Sequence, residues 1–247
     1  MTYAALVWRL QTHDVLPSTS DLCRTLAVQG EPAGLAVLAR RQSAGRGSRG
    51  RGWDTPAGNL ALSVLLRPAL PPREAAQMSL LAGVALAETV RDLLPDADLT
   101  LKWPNDLLLG GAKLAGILTE THGADGHLDW LVLGIGANLA FAPDVPGRAI
   151  ATLATHMAPP APEAFSEALL ARLDLWLAVL GAEGFGPIRA AWRRHALAPG
   201  STMSIRIGAD KIEGSFDGLG DDGSLRLLTA TGARNFTAGD VLLPMEG

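Results

Sequence analysis

The chain has 247 residues, of which 48% are hydrophobic and 19% are charged, and its formal net charge at pH 7 is -4. These values are typical of an ordinary globular protein, and the acidic balance argues against a protein whose main role is to coat nucleic acid. A membrane span is also excluded, because prolines, glycines and charges interrupt every apolar run before the roughly 18 to 20 residues that a membrane helix requires. We expect a cytoplasmic protein, since a single cysteine, Cys23, cannot form an internal disulfide and the first residues contain no signal-cleavage pattern.

Strand and helix patterns alternate over the first four fifths of the chain. A first strand is predicted at residues 4–10, and a helix then begins among the polar residues 17–21 and ends at Gly30. The apolar run at 35–39 predicts a buried strand that leads directly into a basic loop. The later elements predicted in this part are a strand at 59–67, a helix at 73–94, strands at 99–103, 107–109, 114–120 and 129–139, and helices at 163–180 and 187–195.

The sequence pattern changes after residue 198. Short alternating runs separated by glycine and aspartate clusters are typical of a small β-barrel. We therefore predict a first domain of residues 1–198 and a C-terminal β-barrel of residues 199–247. The runs that predict its strands are 203–207, 214–216, 224–228 and 241–243.

The basic loop that follows the second predicted strand is rich in glycine. Between residues 45 and 52, four glycines alternate with Arg46, Arg49 and Arg51. Glycines let the backbone approach a ligand closely, and guanidinium groups pair with carboxylate or phosphate oxygens. The loop therefore indicates an anion-binding site, and a flexible basic segment of the kind that binds nucleic acid is the alternative.

Lysine is rare in this chain, which has only Lys102, Lys113 and Lys211. Lys102 begins the sequence Lys-Trp-Pro-Asn-Asp, which places a cation, an amide and the carboxylate of Asp106 at the end of a predicted strand. Such a group suits phosphates and Mg²⁺, and a hairpin would bring Lys113 to the same place. A structural turn at a strand end, with the lysines on a solvated face, is the alternative.

Three further features exclude or weaken other functions. The sequence Gly134-Ile-Gly136-Ala-Asn138 lacks the third glycine and the following helix of a dinucleotide-binding motif, so we reject that interpretation. Its glycines would let a strand pass close to a ligand, with Asn138 offering an amide, or they mark a simple bulge. The five histidines are scattered, which predicts no structural zinc site. Cys23 lies on the apolar side of its helix and is interpreted as a core residue.

Taken together, five segments resemble biotin protein ligases in order and spacing. The resemblance implies an α+β fold with a mixed sheet flanked by helices, as in class II aminoacyl-tRNA synthetases and biotin ligases, and a small C-terminal SH3-like β-barrel. The segments are Ser18-Thr-Ser20, the run from Gln42 to Trp53, Lys102-Trp-Pro-Asn-Asp106, Lys113-Leu-Ala-Gly116 and Gly134-Ile-Gly-Ala-Asn138.

The resemblance also implies a reaction and its partners. Such an enzyme forms biotinyl-5′-AMP from biotin and ATP with Mg²⁺, and then transfers biotin to a lysine of a biotin carboxyl carrier protein domain of an acyl-CoA carboxylase. The carboxylate and the α-phosphate are both anions, so positioned cations must offset their repulsion. We expect a monomer or homodimer with neither a nucleic acid nor a membrane as partner.

The same resemblance also implies roles for individual residues. The catalytic residues would be Lys113, Arg46 and Asp106, and Asp106 would also be a magnesium ligand. The ATP-binding residues would be Arg51, Trp53, Lys102, Asn105, Asp106 and Asn138. The biotin-binding residues would be Ser18, Thr19, Ser20, Gln42, Arg46, Gly47, Ser48, Lys113 and Gly116.

The sequence departs from the family pattern at two positions and leaves two other functions to consider. Ser48 stands where some relatives have a third arginine, and Ser20 stands where the family often has asparagine.

A lipoate ligase uses the same adenylation chemistry, but the arginine-glycine loop followed by Lys-Trp-Pro-Asn-Asp favours biotin. Some family members are also DNA-binding repressors; seventeen residues precede Ser18, too few for a winged-helix domain, so we do not expect that activity.

Overall fold

The computed structural model describes residues 6–145 and 147–243, which form two sheets and four α-helices. The first sheet contains seven strands and the second contains five. In chain order, the elements are β1 (Arg9–Leu16), α1 (Thr19–Val28), β2 (Leu35–Gln42), β3 (Leu60–Leu66), α2 (Ala75–Leu93), β4 (Leu99–Lys102), β5 (Asp106–Leu109), β6 (Ala112–Ala124), β7 (His127–Ala137), α3 (Pro162–Glu183), α4 (Phe185–Arg194), β8 (Thr202–Ile207), β9 (Asp210–Leu219), β10 (Leu225–Thr229), β11 (Gly232–Phe236) and β12 (Asp240–Leu242).

The seven-stranded sheet has the order β1-β2-β3-β7-β6-β5-β4. Only the β1–β2 pair is parallel, so the sheet is mixed. Every residue of β3 is buried, because helices cover both faces of this strand. On one face, α1 packs with Cys23 and Ala27 against Leu35 and Val37. The apolar helix α2 lies on the other face together with α3 and α4.

This arrangement confirms the predicted α+β class with helices flanking a mixed sheet. The five C-terminal strands are antiparallel, in the order β11-β10-β9-β8-β12, as expected for a small SH3-like unit. The boundary predicted between residues 198 and 199 falls between α4 and β8, and the division into two domains stays a prediction.

One hydrophobic core joins the two sheets. Phe216 and Leu225 of the C-terminal sheet belong to the same buried cluster as Trp103 and Trp192. The indole Nε1 of Trp103 also donates a hydrogen bond to the Gly223 carbonyl at 3.1 Å. The C-terminal sheet is therefore packed against the strand that ends at Lys102.

The first strand differs from its prediction. It runs over Arg9–Leu16 instead of 4–10, and residues 1–5 lie outside the described part of the chain. Its register is set by the parallel pairing with β2, in which Arg9 is opposite Leu35. Because β1 is an edge strand and largely exposed, its polar residues 11–14 gave no apolar pattern.

Two more elements differ from their predictions. The strand β11 was not predicted, because only Phe236 of its five residues is buried. The helix α2 begins at Ala75 because Pro72–Glu74 form a separate 3₁₀ turn. No α-helix in residues 6–145 and 147–243 has both the length and the apolar character needed to cross a bilayer.

Candidate active site

A cavity that opens to solvent, and whose volume of about 440 Å³ includes the open part, lies where the start of α1 meets β3, β6 and β7. The arginine-glycine loop contributes Arg46, Gly47 and Ser48 to its wall. All nine residues predicted to bind biotin line this one cavity, namely Ser18, Thr19, Ser20, Gln42, Arg46, Gly47, Ser48, Lys113 and Gly116.

One side of the cavity consists of the uncharged hydrogen-bonding groups of Ser18, Thr19, Ser20 and Gln42, which we call the polar bed. The backbone N–H and the hydroxyl of Thr19 donate to Oε1 of Gln42 at 2.8 and 3.1 Å, and the Thr19 and Ser63 hydroxyls are 2.8 Å apart. Ser63 also bonds to the Ser20 hydroxyl at 3.0 Å. The helix begins here because Ser18 caps it, with its side chain accepting from the Asp21 N–H. These bonds hold the polar groups in fixed positions within an otherwise apolar sheet.

Two glycines of β7 make room for the site. A Cβ on Gly134 would lie 2.4 Å from the Ser20 hydroxyl, and a Cβ on Gly136 would lie 2.3 Å from Nε1 of Trp53. The glycines predicted to allow close approach therefore admit side chains of this chain to the cavity wall.

Lys113 and Asp106 form an ion pair at the cavity. The Nζ atom of Lys113 lies 2.6 Å from Oδ1 of Asp106 and 5.4 Å from the ring centroid of Trp53. Lys102 lies 3.5 Å from Oδ2 of the same carboxylate, so one anion is shared by two ammonium groups. Burial lowers the pKa of Lys113 from its ordinary value, and the adjacent Asp106 carboxylate opposes this shift. The consecutive strands β4, β5 and β6 thus bring Lys102 and Lys113 to the same carboxylate.

The arginines of the loop are paired with carboxylates. Arg46 contacts Glu120 at 2.7 Å and Asp21 at 2.9 Å. Arg49 and Arg51 face Asp240 of β12, with Arg51 at 3.9 Å. Carboxylates of the protein itself therefore offset the charges of these three arginines.

The residues predicted to bind ATP are more dispersed. Trp53 and Asn105 line the cavity, whereas Arg51 donates to the Ser48 hydroxyl at 2.9 Å. Asn138 is buried behind Lys113, and its amide nitrogen donates to the Lys113 and Ala151 carbonyls at 3.4 and 3.2 Å. The geometry therefore gives Asn138 a role in supporting the backbone at Lys113. Its contact with ATP stays a prediction.

Whether the site can bind a magnesium ion depends on which side chains are available as metal ligands. Within the described ranges, no three acidic, histidine or cysteine side chains are grouped as a metal would require. Asp106 is held by two lysines, so it does not form a resident metal site alone. The residues fit an ion that enters with the triphosphate and keeps several water ligands, as Mg²⁺ commonly does. Its coordination by Asp106 stays a prediction.

Several site residues were missed by the sequence interpretation. They are the arginine partners Asp21, Glu120 and Asp240, and Ser63 under the polar bed. A serine inside the apolar run 59–67 was a usable signal, whereas the acidic partners are far from the loop in sequence. Cys23 is fully buried, and desolvation raises the pKa of its thiol to about 12, which suits a core residue rather than a nucleophile.

The chain is similar to known proteins over most of its length. The biotin/lipoate A/B protein ligase family matches residues 13–138. A biotin–[acetyl-CoA-carboxylase] ligase of Paracoccus denitrificans is 40% identical over 214 residues, which cover 83% of this chain and 88% of that protein. The bifunctional ligase/repressor BirA of Bacillus subtilis is 32% identical, over 94% of this chain and 73% of that protein.

A solved structure supports the same assignment. A biotin protein ligase from Aquifex aeolicus in complex with biotin and ATP matches with a TM-score of 0.80 and 26% identity, covering 94% of this chain and 97% of that one. The family match covers half of the chain, and the Paracoccus relative is similar over most of both sequences. The chain therefore belongs to the biotin/lipoate A/B protein ligase family.

Proposed function

We propose that this protein is an ATP-dependent biotin protein ligase that forms biotinyl-5′-AMP and then transfers biotin to a carrier lysine. The observation that carries the proposal is the single cavity in which an uncharged polar bed meets the ammonium group of Lys113. Biotin has a neutral, hydrogen-bonding ring system at one end and a carboxylate at the other, which matches these two regions. The names of the relatives point to the same reaction.

In the first step, a biotin carboxylate oxygen attacks the α-phosphorus of ATP and pyrophosphate leaves. The bed formed by Ser18, Thr19, Ser20 and Gln42 would bind the ring and orient the carboxylate. Lys113 would exchange part of its contact with Asp106 for the carboxylate and the α-phosphate, where negative charges meet. A magnesium ion carried by ATP would supply further charge neutralisation on the phosphates.

In the second step, the amine of the carrier lysine attacks the acyl carbon of the adenylate. The C–N bond forms, the bond to the phosphate oxygen breaks, AMP leaves and the amine loses a proton. Because the mixed anhydride is already activated, the enzyme needs no covalent nucleophile of its own. This chemistry accords with the burial of Cys23.

The proposal includes the partner and the location. The carrier is a biotin carboxyl carrier protein domain of an acyl-CoA carboxylase, a choice that the name of the Paracoccus relative supports. We place the reaction in the cytoplasm, in keeping with the use of ATP and with the free thiol of Cys23.

The proposal is tested by comparing substrates. Purified protein is incubated with ATP, Mg²⁺ and either biotin or lipoate, and pyrophosphate release is measured; a carrier domain is then added and its mass is followed. We expect release with biotin and a biotin-sized mass increase on the carrier. Release with lipoate alone would replace the proposal with a lipoate ligase, and no release with either acid would refute adenylation.

A further inference from the structure

The last strand of the described chain, β12, lies in the C-terminal sheet and contacts both the arginine-glycine loop and Lys102. It pairs with β8, with Asp240 opposite Arg206, and the side chain of Val241 is buried in the shared core. The Val241 carbonyl accepts a hydrogen bond of 3.4 Å from Lys102. This strand is therefore fixed beside Lys102, which is one of the residues predicted to bind ATP.

From this position, Asp240 contacts the arginine-glycine loop. Its carboxylate pairs with Arg49, and the Arg51 guanidinium lies 3.9 Å away. The Arg51 side chain in turn donates to the carbonyl and hydroxyl of Ser48 at 3.2 and 2.9 Å. Ser48 lines the cavity, so a chain of polar contacts runs from β12 to the cavity wall.

The backbone at Arg49 gives a second, independent indication. Arg49 has φ 60, in the left-handed region that non-glycine residues seldom adopt. Such a conformation persists only where its surroundings hold it. The Asp240 pair provides such a restraint at this residue.

We propose that Asp240 is a positioning residue that holds the arginine-glycine loop over the cavity and so slows the loss of the bound adenylate. In the structure, the loop already contributes Arg46, Gly47 and Ser48 to the cavity wall while Arg49 is paired with Asp240. The pair therefore stabilises the loop in the position in which it forms part of the cavity wall. This inference rests on the proposed function for its ligand, although the restraint on the loop does not require one.

The first test needs no substrate. Limited trypsin digestion of the free protein, followed by mass spectrometry, reports cleavage after Arg51. We expect Asp240→Asn to raise the cleavage rate about two- to fivefold, the scale of an exposed ion pair. Asp217→Asn is the matched control, because it breaks the 2.9 Å pair with Arg226 within the same sheet, and it should leave the rate unchanged.

The same contact is then broken from the loop side. Arg49→Asn removes the charge and suits the left-handed backbone, since asparagine tolerates this region well. If the two residues act through one contact, the double variant should cleave no faster than either single variant. Fully multiplicative effects, or equal rates in wild type and Asp240→Asn, would overturn the proposal.

The second test uses the loaded enzyme. Labelled biotinyl-adenylate is formed on the protein and chased with unlabelled biotin and ATP, and its loss should be about two- to fivefold faster in Asp240→Asn than in wild type or Asp217→Asn. An unchanged rate of loss would overturn the role in retention. If wild type forms no adenylate at all, the proposed function fails, whereas the digestion still decides whether Asp240 restrains the loop.

Discussion

At the scale of single residues, Lys113 combines the features expected of a catalytic cation. It is largely buried, it is paired with Asp106 at 2.6 Å, and it lies over the ring of Trp53. Fixed charges in such sites stabilise developing charge better than mobile ones in water. The sequence supported this residue through the scarcity of lysine, whereas the aromatic neighbour became visible only in three dimensions.

We predict that Lys113→Ala abolishes adenylate formation without unfolding the protein. Loss of one such contact typically costs about 2.7 to 4 kcal/mol, or roughly 10² to 10³ in rate. The fold should survive, because Asp106 keeps Lys102 as a partner at 3.5 Å. Biotin-dependent pyrophosphate release and thermal unfolding are measured together, with Lys211→Ala, an exposed lysine paired with Glu213, as the control. Near-normal release in Lys113→Ala would show that the assigned role is wrong.

The pH dependence of the reaction should carry the signature of Lys113. Burial lowers its pKa below the ordinary value of 10.5, so the ammonium loses its proton at a lower pH in the folded protein than in the unfolded chain. We expect pyrophosphate release to fall as the pH rises through this lowered pKa, because only the charged form offsets the phosphate. Lys211→Ala should show the same alkaline fall, and a rate that stays flat up to pH 10.5 would contradict the assignment.

The lowered pKa of Lys113 also determines how the stability of the protein changes with pH. Between the lowered pKa and 10.5, the unfolded chain binds more protons than the folded protein at this residue. The free energy of unfolding therefore rises, and the folded protein becomes more stable at this residue, as the pH rises through that interval. Denaturant titrations at several alkaline pH values should show this rise in wild type relative to Lys113→Met.

Ser48 stands where the resemblance implies a third arginine in some members of the family. An added arginine there could contribute a charge-assisted bond of roughly 1.5 to 3 kcal/mol, or about one to two decades in the rate of adenylate loss. Arg49 could have taken its place, but it is turned towards Asp240. We therefore expect labelled adenylate to leave wild type faster than Ser48→Arg in a chase experiment.

The control for this comparison is Ser48→Ala, which removes the bond from Arg51 without adding a charge. It should lose adenylate at least as fast as wild type. Indistinguishable rates in wild type and Ser48→Arg would mean that the serine is neutral for retention.

At the scale of elements, apolar patterns predicted the buried strands and helices well. The run at 35–39 became part of β2, and 59–67 became the wholly buried β3. The exposed edge strand β1 and the polar strand β11 could not be found in this way, because main-chain pairing rather than side-chain burial defines them. The acidic partners of the loop were missed for a related reason, since tertiary packing alone brings Glu120 and Asp240 to it.

Gly136 of β7 allows a test of how closely this strand approaches the side chain of Trp53. A Cβ at Gly136 would lie 2.3 Å from the Trp53 indole nitrogen, so Gly136→Ala should displace Trp53 and reduce adenylate formation. Overpacking of this kind typically costs about 1 to 3 kcal/mol of stability. Chemical denaturation and pyrophosphate release are the measurements. Gly186→Ala is the control, because a Cβ there meets nothing within 4 Å.

The same substitution in a second variant tests whether contact with Trp53 causes the loss of stability. In Trp53→Phe, the smaller ring leaves room, so Gly136→Ala should destabilise that variant less than it destabilises wild type. An equal loss in both backgrounds would locate the strain elsewhere in β7.

At the scale of the whole molecule, the shared core predicts cooperative unfolding. Buried residues of both sheets form one cluster, and Trp103 bonds across to Gly223. We expect one calorimetric transition whose enthalpy equals the van't Hoff enthalpy, as in two-state unfolding. Two separated transitions would instead mean that residues 1–198 and the C-terminal strands are independent units.

The placement of the lysines has a consequence for an enzyme that makes a lysine-reactive acyl group. Lys102 and Lys113 are held by Asp106 at the cavity, which leaves Lys211 as the exposed lysine side chain of the sequence. Arginine, which carries most of the positive charge here, stays protonated and is not acylated at neutral pH. We therefore expect little self-labelling by any adenylate that escapes, because this chain offers it few lysines.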